Sequence, residues 1–425
     1  MKEDFLYYIW QHQFFNKTQL ITVDGQSLTV VKPGYRNLNN GPDFKEAHIR
    51  LNDLDWYGDV EMHVRSSDWF KHKHQGDVHF DSVMLHVVLI DDRPVITSDG
   101  MNLPTLEVKG VYKPKVYHRY MSLLEHVGKI PCEDQLQTIP VLHRIVMAER
   151  VLIERLKRKS AHIFELLKET NGNWQEVTFL KMSEALGFKV NTNAMLELAK
   201  NVGYKRLLKG QTLHQKSAIL IGSAGFLTNN LKDDYLVRLK KEYSFQKSRL
   251  KLAGELPIQL WKFSPLRPFN YPTQRIAQLA ALTHEIPNLW DAFLNFEDVG
   301  LLISKMEVIP EDYWLSHFRP DKRTERTIKG LSKSAIIHLL INVTAPLLVA
   351  FAIYTDDEKY IQKAMNLLSS LPKESNRVNR LWSELNWQVS SAFDSQALTE
   401  LFNEYCSAKK CLTCHVGHQL IKAES

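Results

Sequence analysis

The chain has 425 residues, 44% hydrophobic and 24% charged, the balance of an ordinary globular protein with length for two or three domains and a buried core. A net charge of +6 is mild for that length; it permits a nucleic-acid partner without requiring one, because domains built on phosphate contacts are usually more basic. The most apolar run, residues 336–353, is interrupted by His338, Asn342 and Pro346 and reads as a buried helix, while the start MKEDFLYYIWQHQFF has acidic residues and no signal-peptide cleavage site, so no membrane partner and a cytoplasmic location are expected.

In chain order, Phe5, Tyr8, Ile9, Phe14 and Phe15 give residues 3–16 the spacing of an amphipathic helix. Residues 26–31 form a predicted strand, and the turn-rich KPGYRNLNN of 32–40 delivers the chain to Pro42-Asp43. Residues 47–51, 60–64 and 83–90 are short apolar or alternating runs with β-branched residues, each a predicted strand. Between the second and third lies Ser67-Asp68-Trp69-Phe70, where Ser67 or Asp68 can cap a short helix. Residues 93–108 suggest a hairpin around Ser98-Asp99-Gly100 that extends the sheet. Residues 1–111 thus make a complete α/β unit, 112–140 a linker carrying Cys132, 141–404 a helical domain, and 405–425 a Cys-rich tail. The fold class is α+β: a small mixed-sheet α/β domain followed by a large all-α domain.

Six of the 17 histidines fall within the 39 residues from His48 to His86: His48, His63, His72, His74, His79 and His86. Asp43, Asp59, Glu61, Asp68, Asp77 and Asp81 accompany them. Glu61 and His63, two apart on one strand, leave the same face, while Val60, Met62 and Val64 face the other way. If the strand after Asp43 is a neighbour, Asp43 approaches them, and two carboxylates with a base suit Mg²⁺ or Mn²⁺ and activation of a water. Plainer readings stand beside this. His86 is as well explained as a core histidine, and His72 and His74, two apart, would diverge on a helix unless the backbone turns. Asp68 serves as a helix cap. Arg267 and Arg275 more readily hold the proline-rich loop SPLRPFNYP than contact phosphate. The basic run from Arg144 to Lys159 is mainly a solvated helix face, with Arg150, Arg155 and Arg158 as the nucleic-acid-binding candidates.

The order helix, strand, strand with Pro42-Asp43, strand with Glu61-Met62-His63, helix, strand resembles the core of the PD-(D/E)XK nuclease superfamily, with His in place of the usual Lys. The resemblance implies a restriction-endonuclease-like fold, a metal held by Asp43 and Glu61, and His63 as base or as metal ligand. Along nearly its whole length (GPDF, GDVEMH, DWFKHKH, PCE, RPFNYPTQRIAQLA, YCSAKKCLTC) the chain also resembles an uncharacterised bacterial family known as a domain of unknown function.

The four cysteines are Cys132, Cys406, Cys411 and Cys414. A C-x4-C-x2-C trio with one distant partner is what a tetrathiolate site needs, for a [4Fe–4S] cluster or Zn²⁺, and His415 or His418 could replace Cys132 on zinc. The pattern resembles iron–sulfur-stapled nucleases of the AddB type, although there the lone cysteine precedes the nuclease core and here it follows. The expected function is metal-dependent cleavage of DNA or RNA phosphodiesters through Asp43, Glu61 and His63, with His86 behind them. Two alternatives are an inactive nuclease-like scaffold, and a hydrolase holding Zn²⁺ or Mn²⁺ on His63, His74, His79 and His86.

Overall fold

The computed structural model describes every residue except 1, 18, 19, 99, 229, 327–329 and 423–425. Two compact units are formed, residues 1–147 with 401–425, and residues 148–400.

The first unit is built on one mixed sheet. Its strands are β1 (Leu28–Lys32), β2 (Tyr35–Arg36), β3 (Phe44–Leu51), β4 (Leu54–Arg65), β5 (Val83–Ile90) and β6 (Thr105–Glu107). The order is β1-β3-β4-β5-β6, with β2 also paired to β3. β3 and β4 form an antiparallel hairpin whose two turn residues, Asn52 and Asp53, both have positive φ (46° and 68°). That is the turn geometry matched to strand twist, and Asn and Asp tolerate it best. β5 runs parallel to β4, so the chain must cross over between them, and residues 66–82 make that crossing. The crossing carries the short helix α2 (Asp68–Lys71), and α1 (Glu3–His12) also packs on β4. β5, VMLHVVLI, is buried along six successive residues, as expected for a central parallel strand covered on both faces.

The expected hairpin over 93–108 is only half present. Thr97 N–H donates to the Met101 carbonyl at 2.9 Å and Ile96 bridges Asn102, making the turn. Pro94 and Pro104 lack the N–H a ladder needs, and only Thr105–Glu107 joins the sheet, parallel to β5.

After the sheet come α3 (Pro114–Glu125), a 3-10 turn at Glu133–Thr138 and α4 (Val141–Glu169). The tail helix His415–Lys422 packs on α3. Gly417 lets that helix sit against the tail's own Cys411 backbone, because a Cβ there would lie 2.2 Å from the Cys411 carbonyl oxygen.

The second unit is mostly helical, around the helix Pro272–Glu285, buried along residues 272–283. It is not wholly α: His317–Arg319 and Lys322–Arg323 form a two-stranded ribbon turning at Asp321, φ 55°. The helical run Lys333–Thr355 spans 23 residues and is apolar enough in length and composition to cross a membrane, yet 72% of its most apolar window is buried inside the protein. It contains a π turn at Leu340–Thr344.

Candidate metal centre

Glu61 and His63 leave β4 at the middle of the sheet, and His86 is the register partner of Glu61 on β5. All three are buried, at 5%, 1% and 0% exposure. The edge of the site comes from the crossing after β4. Asp92 anchors that crossing by accepting from Ser66 Oγ at 3.1 Å, Ser67 N–H at 2.9 Å and Ser67 Oγ at 3.0 Å. Asp68 is the first residue of α2 and not its cap. Its carboxylate accepts from the preceding Arg65 N–H at 3.0 Å, closing the strand-to-helix corner.

α2 ends at Lys71 with His72 as its cap, and Lys73 then takes a left-handed conformation, φ 63°. His74 N–H reaches back to the Trp69 carbonyl at 3.2 Å, the backward bond of a helix-terminating left-handed turn. The turn cancels the divergence expected of two residues in a helix. His63 Nε2 lies 3.0 Å from His72 Nδ1. His63, His72 and His74 bring their donor nitrogens within 4.8 Å of one another, the metal-capable trio among the described residues. Glu61 Oε1 stands beside them, 3.3 Å from His74 Nε2 and 3.6 Å from His63 Nε2.

Burial, reinforced by the neighbouring histidines, pushes the His63 pKa down to about 2, and burial pushes that of His86 down to about 3. Both rings are therefore neutral, the form that binds metal. His63 Nδ1 sits 2.8 Å from His86 Nε2. If His63 donates there, its Nε2 lone pair faces His72, His74 and Glu61, the orientation that a ligating histidine takes from a partner behind it. Burial raises the Glu61 pKa, opposed by His74.

His86 Nδ1 and Trp69 Nε1 are buried without a hydrogen-bond partner, and His74 Nε2 has only Glu61 Oε1, 3.3 Å away. Trp69 packs edge-on to both rings, at 5.3 Å and 5.5 Å between centroids, and Phe80 stacks on His74 at 3.8 Å. The trio faces a cleft of about 460 Å³ whose mouth includes Glu3, Tyr7, Asn39 and Gly41. Ligands around a tetrahedral ion with 2.0–2.1 Å bonds lie about 3.4 Å apart, so this donor set fits a transition metal with small contraction.

Asp43 meets Glu61 as the strand pairing suggested, but through its backbone. Asp43 N–H donates to Glu61 Oε2 at 3.0 Å. Its own oxygens are both engaged: Oδ1 accepts from Arg36 at 2.6 Å and Oδ2 from Met62 N–H at 3.1 Å. His79 stays at the rim, 2.8 Å from Asp77. Of the Arg candidates, Arg150 pairs with Glu154 at 2.9 Å, while Arg155 and Arg158 converge on Glu400 at 2.7 and 2.6 Å. Glu400 lies 242 residues beyond Arg158 and had no signal in the sequence. His72 was the member of the trio that sequence reasoning left aside. The only clue to it was the non-helical possibility for DWFKHKH.

All four cysteines belong to the first unit and form no disulfide. Cys411 and Cys414 are buried. Burial raises the Cys132 and Cys411 pKa values to about 12, and the nearby thiols add to the effect. The sulfurs are near enough to repel as thiolates, yet among the described residues no cysteine trio is gathered within the 4.8 Å that defines the histidine trio.

Neither a curated protein nor a solved structure matches the chain. The family described as "Protein of unknown function (DUF2851)" matches residues 3–377, a span that holds the histidine trio, Glu61 and Asp43 but not the three tail cysteines. The chain belongs to that family.

Proposed function

We propose that the first unit is a metal-dependent phosphodiester hydrolase acting on nucleic acid, with a Zn²⁺ or Mn²⁺ ion held by His63, His72 and His74 beside Glu61. The observation that carries this reading is the convergence of three imidazole donors within 4.8 Å at the floor of a cleft. An ion held there supplies Lewis-acid polarisation of a phosphoryl oxygen and lowers the pKa of a water. Glu61, its basicity raised by burial, takes the proton of the attacking water. Asp43 positions Glu61 through its backbone N–H, and its carboxylate holds Arg36 and the Met62 amide. His86 fixes the ring of His63. Gly41 lines the cleft, and the Lys45 Nζ comes 3.9 Å from where a Cβ there would lie, a cation near enough to serve a phosphate substrate.

The four thiols suit a [4Fe–4S] cluster or Zn²⁺ alike, and the cluster is the reading put to the test. Such a cluster would tie the tail to the 3-10 turn after Cys132, closing a loop of about 270 residues.

The test is cleavage of single- and double-stranded DNA and RNA with Mg²⁺, Mn²⁺ and Zn²⁺, comparing wild type with Glu61→Gln and His74→Ala. Cleavage lost in both variants, with metal content lost in His74→Ala, supports the hydrolase. A folded wild-type protein that binds metal and cleaves none of these substrates would instead favour a scaffold that has kept the site and lost the chemistry.

A further inference from the structure

The second unit contains a cavity of about 710 Å³, within the size range of small-molecule sites. Arg275 forms part of its wall and is only 5% exposed. Its guanidinium lies 4.4 Å over the Phe188 ring. One terminal nitrogen donates to Gln278 Oε1 at 2.8 Å, the other to Asn270 Oδ1 at 2.6 Å. Arg275 does hold the proline-rich loop, through Asn270. Both partners, however, are neutral amides. Its Nε is buried with no hydrogen-bond partner, and among the described residues no carboxylate pairs with it. A buried cation without an anion is among the costlier arrangements a fold can keep. Two further cations, Arg267 and Lys373, line the same cavity, with Glu374 the one carboxylate there.

The opposite side of Phe188 repeats the pattern. A second cavity of about 430 Å³ shares Phe188 and His338 with the first. Into it faces Lys159, whose Nζ is bonded to Asn342 Oδ1 at 2.9 Å and Gln396 Oε1 at 3.4 Å, again amides. Phe188 is held at φ 47°, an unusual conformation for a bulky residue and one that marks functional sites more often than loops at large. Its ring stacks on His338 at 4.8 Å. Asn342, which bonds Lys159 and donates to the His338 carbonyl at 3.0 Å, lies in the π turn Leu340–Thr344, an irregularity frequent at ligand sites.

We propose that the larger cavity binds an organic phosphate of nucleotide size. The phosphate supplies the missing anion at Arg275, with the hydroxyls of Ser332 and Ser334 within the same wall. A guanidinium fork suits phosphate oxygens geometrically as well as by charge. The apolar side of the cavity, Phe269, Ile337, Ile341 and Pro372, receives the organic portion.

The experiment is calorimetric unfolding of the full chain with inorganic phosphate, adenosine 5′-monophosphate or acetate added, for wild type and Arg275→Gln. Saturating nucleotide is expected to raise the wild-type midpoint by about 4 °C or more. Inorganic phosphate should raise it less and acetate not at all, and Arg275→Gln should abolish the response. An unmoved wild type with every probe overturns the proposal, as does an undiminished shift in Arg275→Gln. Hydrogen exchange on wild type with the nucleotide decides the matter independently if the variant does not fold. Protection confined to residues 267–278 and 332–341 supports the site, and protection elsewhere removes it. Neither readout depends on catalysis in the first unit.

Discussion

Replacing Asp43 tests how the candidate centre is held. In Asp43→Ala, the Met62 N–H loses its acceptor at 3.1 Å and Arg36 loses its 2.6 Å ion pair. Met62 is 1% exposed, so no water replaces the acceptor, and an orphaned buried donor costs about 1–3 kcal/mol. The ion pair adds less. With side chains 25% and 16% exposed, solvent screens it, and about 1 kcal/mol is a fair upper figure. The sum is about 1–4 kcal/mol, which lowers the melting midpoint of a unit this size by about 2–16 °C. Asp43→Asn keeps one amide oxygen as an acceptor and should lose about half as much. Scanning calorimetry of the metal-free protein measures both.

The same pair of variants separates support from ligation. With both oxygens of Asp43 engaged inside the protein, Asp43→Asn should retain bound zinc close to wild type, whereas His74→Ala should lose most of it. An Asp43→Ala melting within about 1 °C of wild type would mean the carboxylate holds nothing. Zinc lost in Asp43→Asn but kept in His74→Ala would make Asp43 the ligand and reverse the roles assigned here.

Three other outcomes follow from the same geometry. Purified without chelator, wild type should carry near-stoichiometric Zn²⁺ or Mn²⁺ by elemental analysis, and His72→Ala and His74→Ala should each lose most of it; His72→Ala, whose side chain is exposed, should melt near wild type once metal is stripped. Anaerobically purified protein should contain iron and acid-labile sulfide with broad visible absorbance, and Cys406→Ser should lose both; zinc in place of iron would refute the cluster. Lys159 carries a pH signature. Burial pulls its pKa from 10.5 to about 7, so between pH 7 and 10.5 the unfolded chain holds a proton that the folded one lacks, and stability rises with pH across that window, by up to about 1.4 kcal/mol per unit. Lys159→Met should therefore melt above wild type at pH 7, with the gap narrowing toward pH 9; a gap independent of pH removes the effect.

Local pattern carried much of the first unit. The alternation in residues 47–51 and 60–64 and the solid apolar run at 83–90 announced the three central strands, because side-chain period and burial are set by the strand itself. That Glu61 and His63 share a face followed from the same period, and their approach to Asp43 from the hairpin. What pattern could not supply was backbone handedness at a single residue. Lys73 in a left-handed turn is worth one unfavourable conformation, overruled by tertiary contacts, yet it decides whether His72 and His74 diverge or converge. Long-range pairing was equally hidden. The basic face of α4 looks solvated from its own sequence, and only folding delivers Glu400 to Arg155 and Arg158.

The unmet polar atoms at the histidine cluster and at Arg275 are ones that the two proposed sites would satisfy. A core selected for stability alone would fill the positions of Glu61, His63 and His86 with the valines and leucines that surround them, since buried polar groups stabilise only when fully paired. Instead two buried nitrogens, on Trp69 and His86, stand together without hydrogen bonds beside His74, and in the other unit the Nε of Arg275 stands so at the edge of a cavity. Each of these atoms costs about 1–3 kcal/mol as it stands. An ion beside the histidines engages His74 Nε2 directly and fixes which His86 nitrogen carries the proton. A phosphate at Arg275 engages its idle N–H. In both units the metal-free or ligand-free protein should thus be less stable than a volume-matched apolar variant and more stable than it once the ligand is bound. That crossing of stabilities is what a binding site predicts and a structural polar network does not.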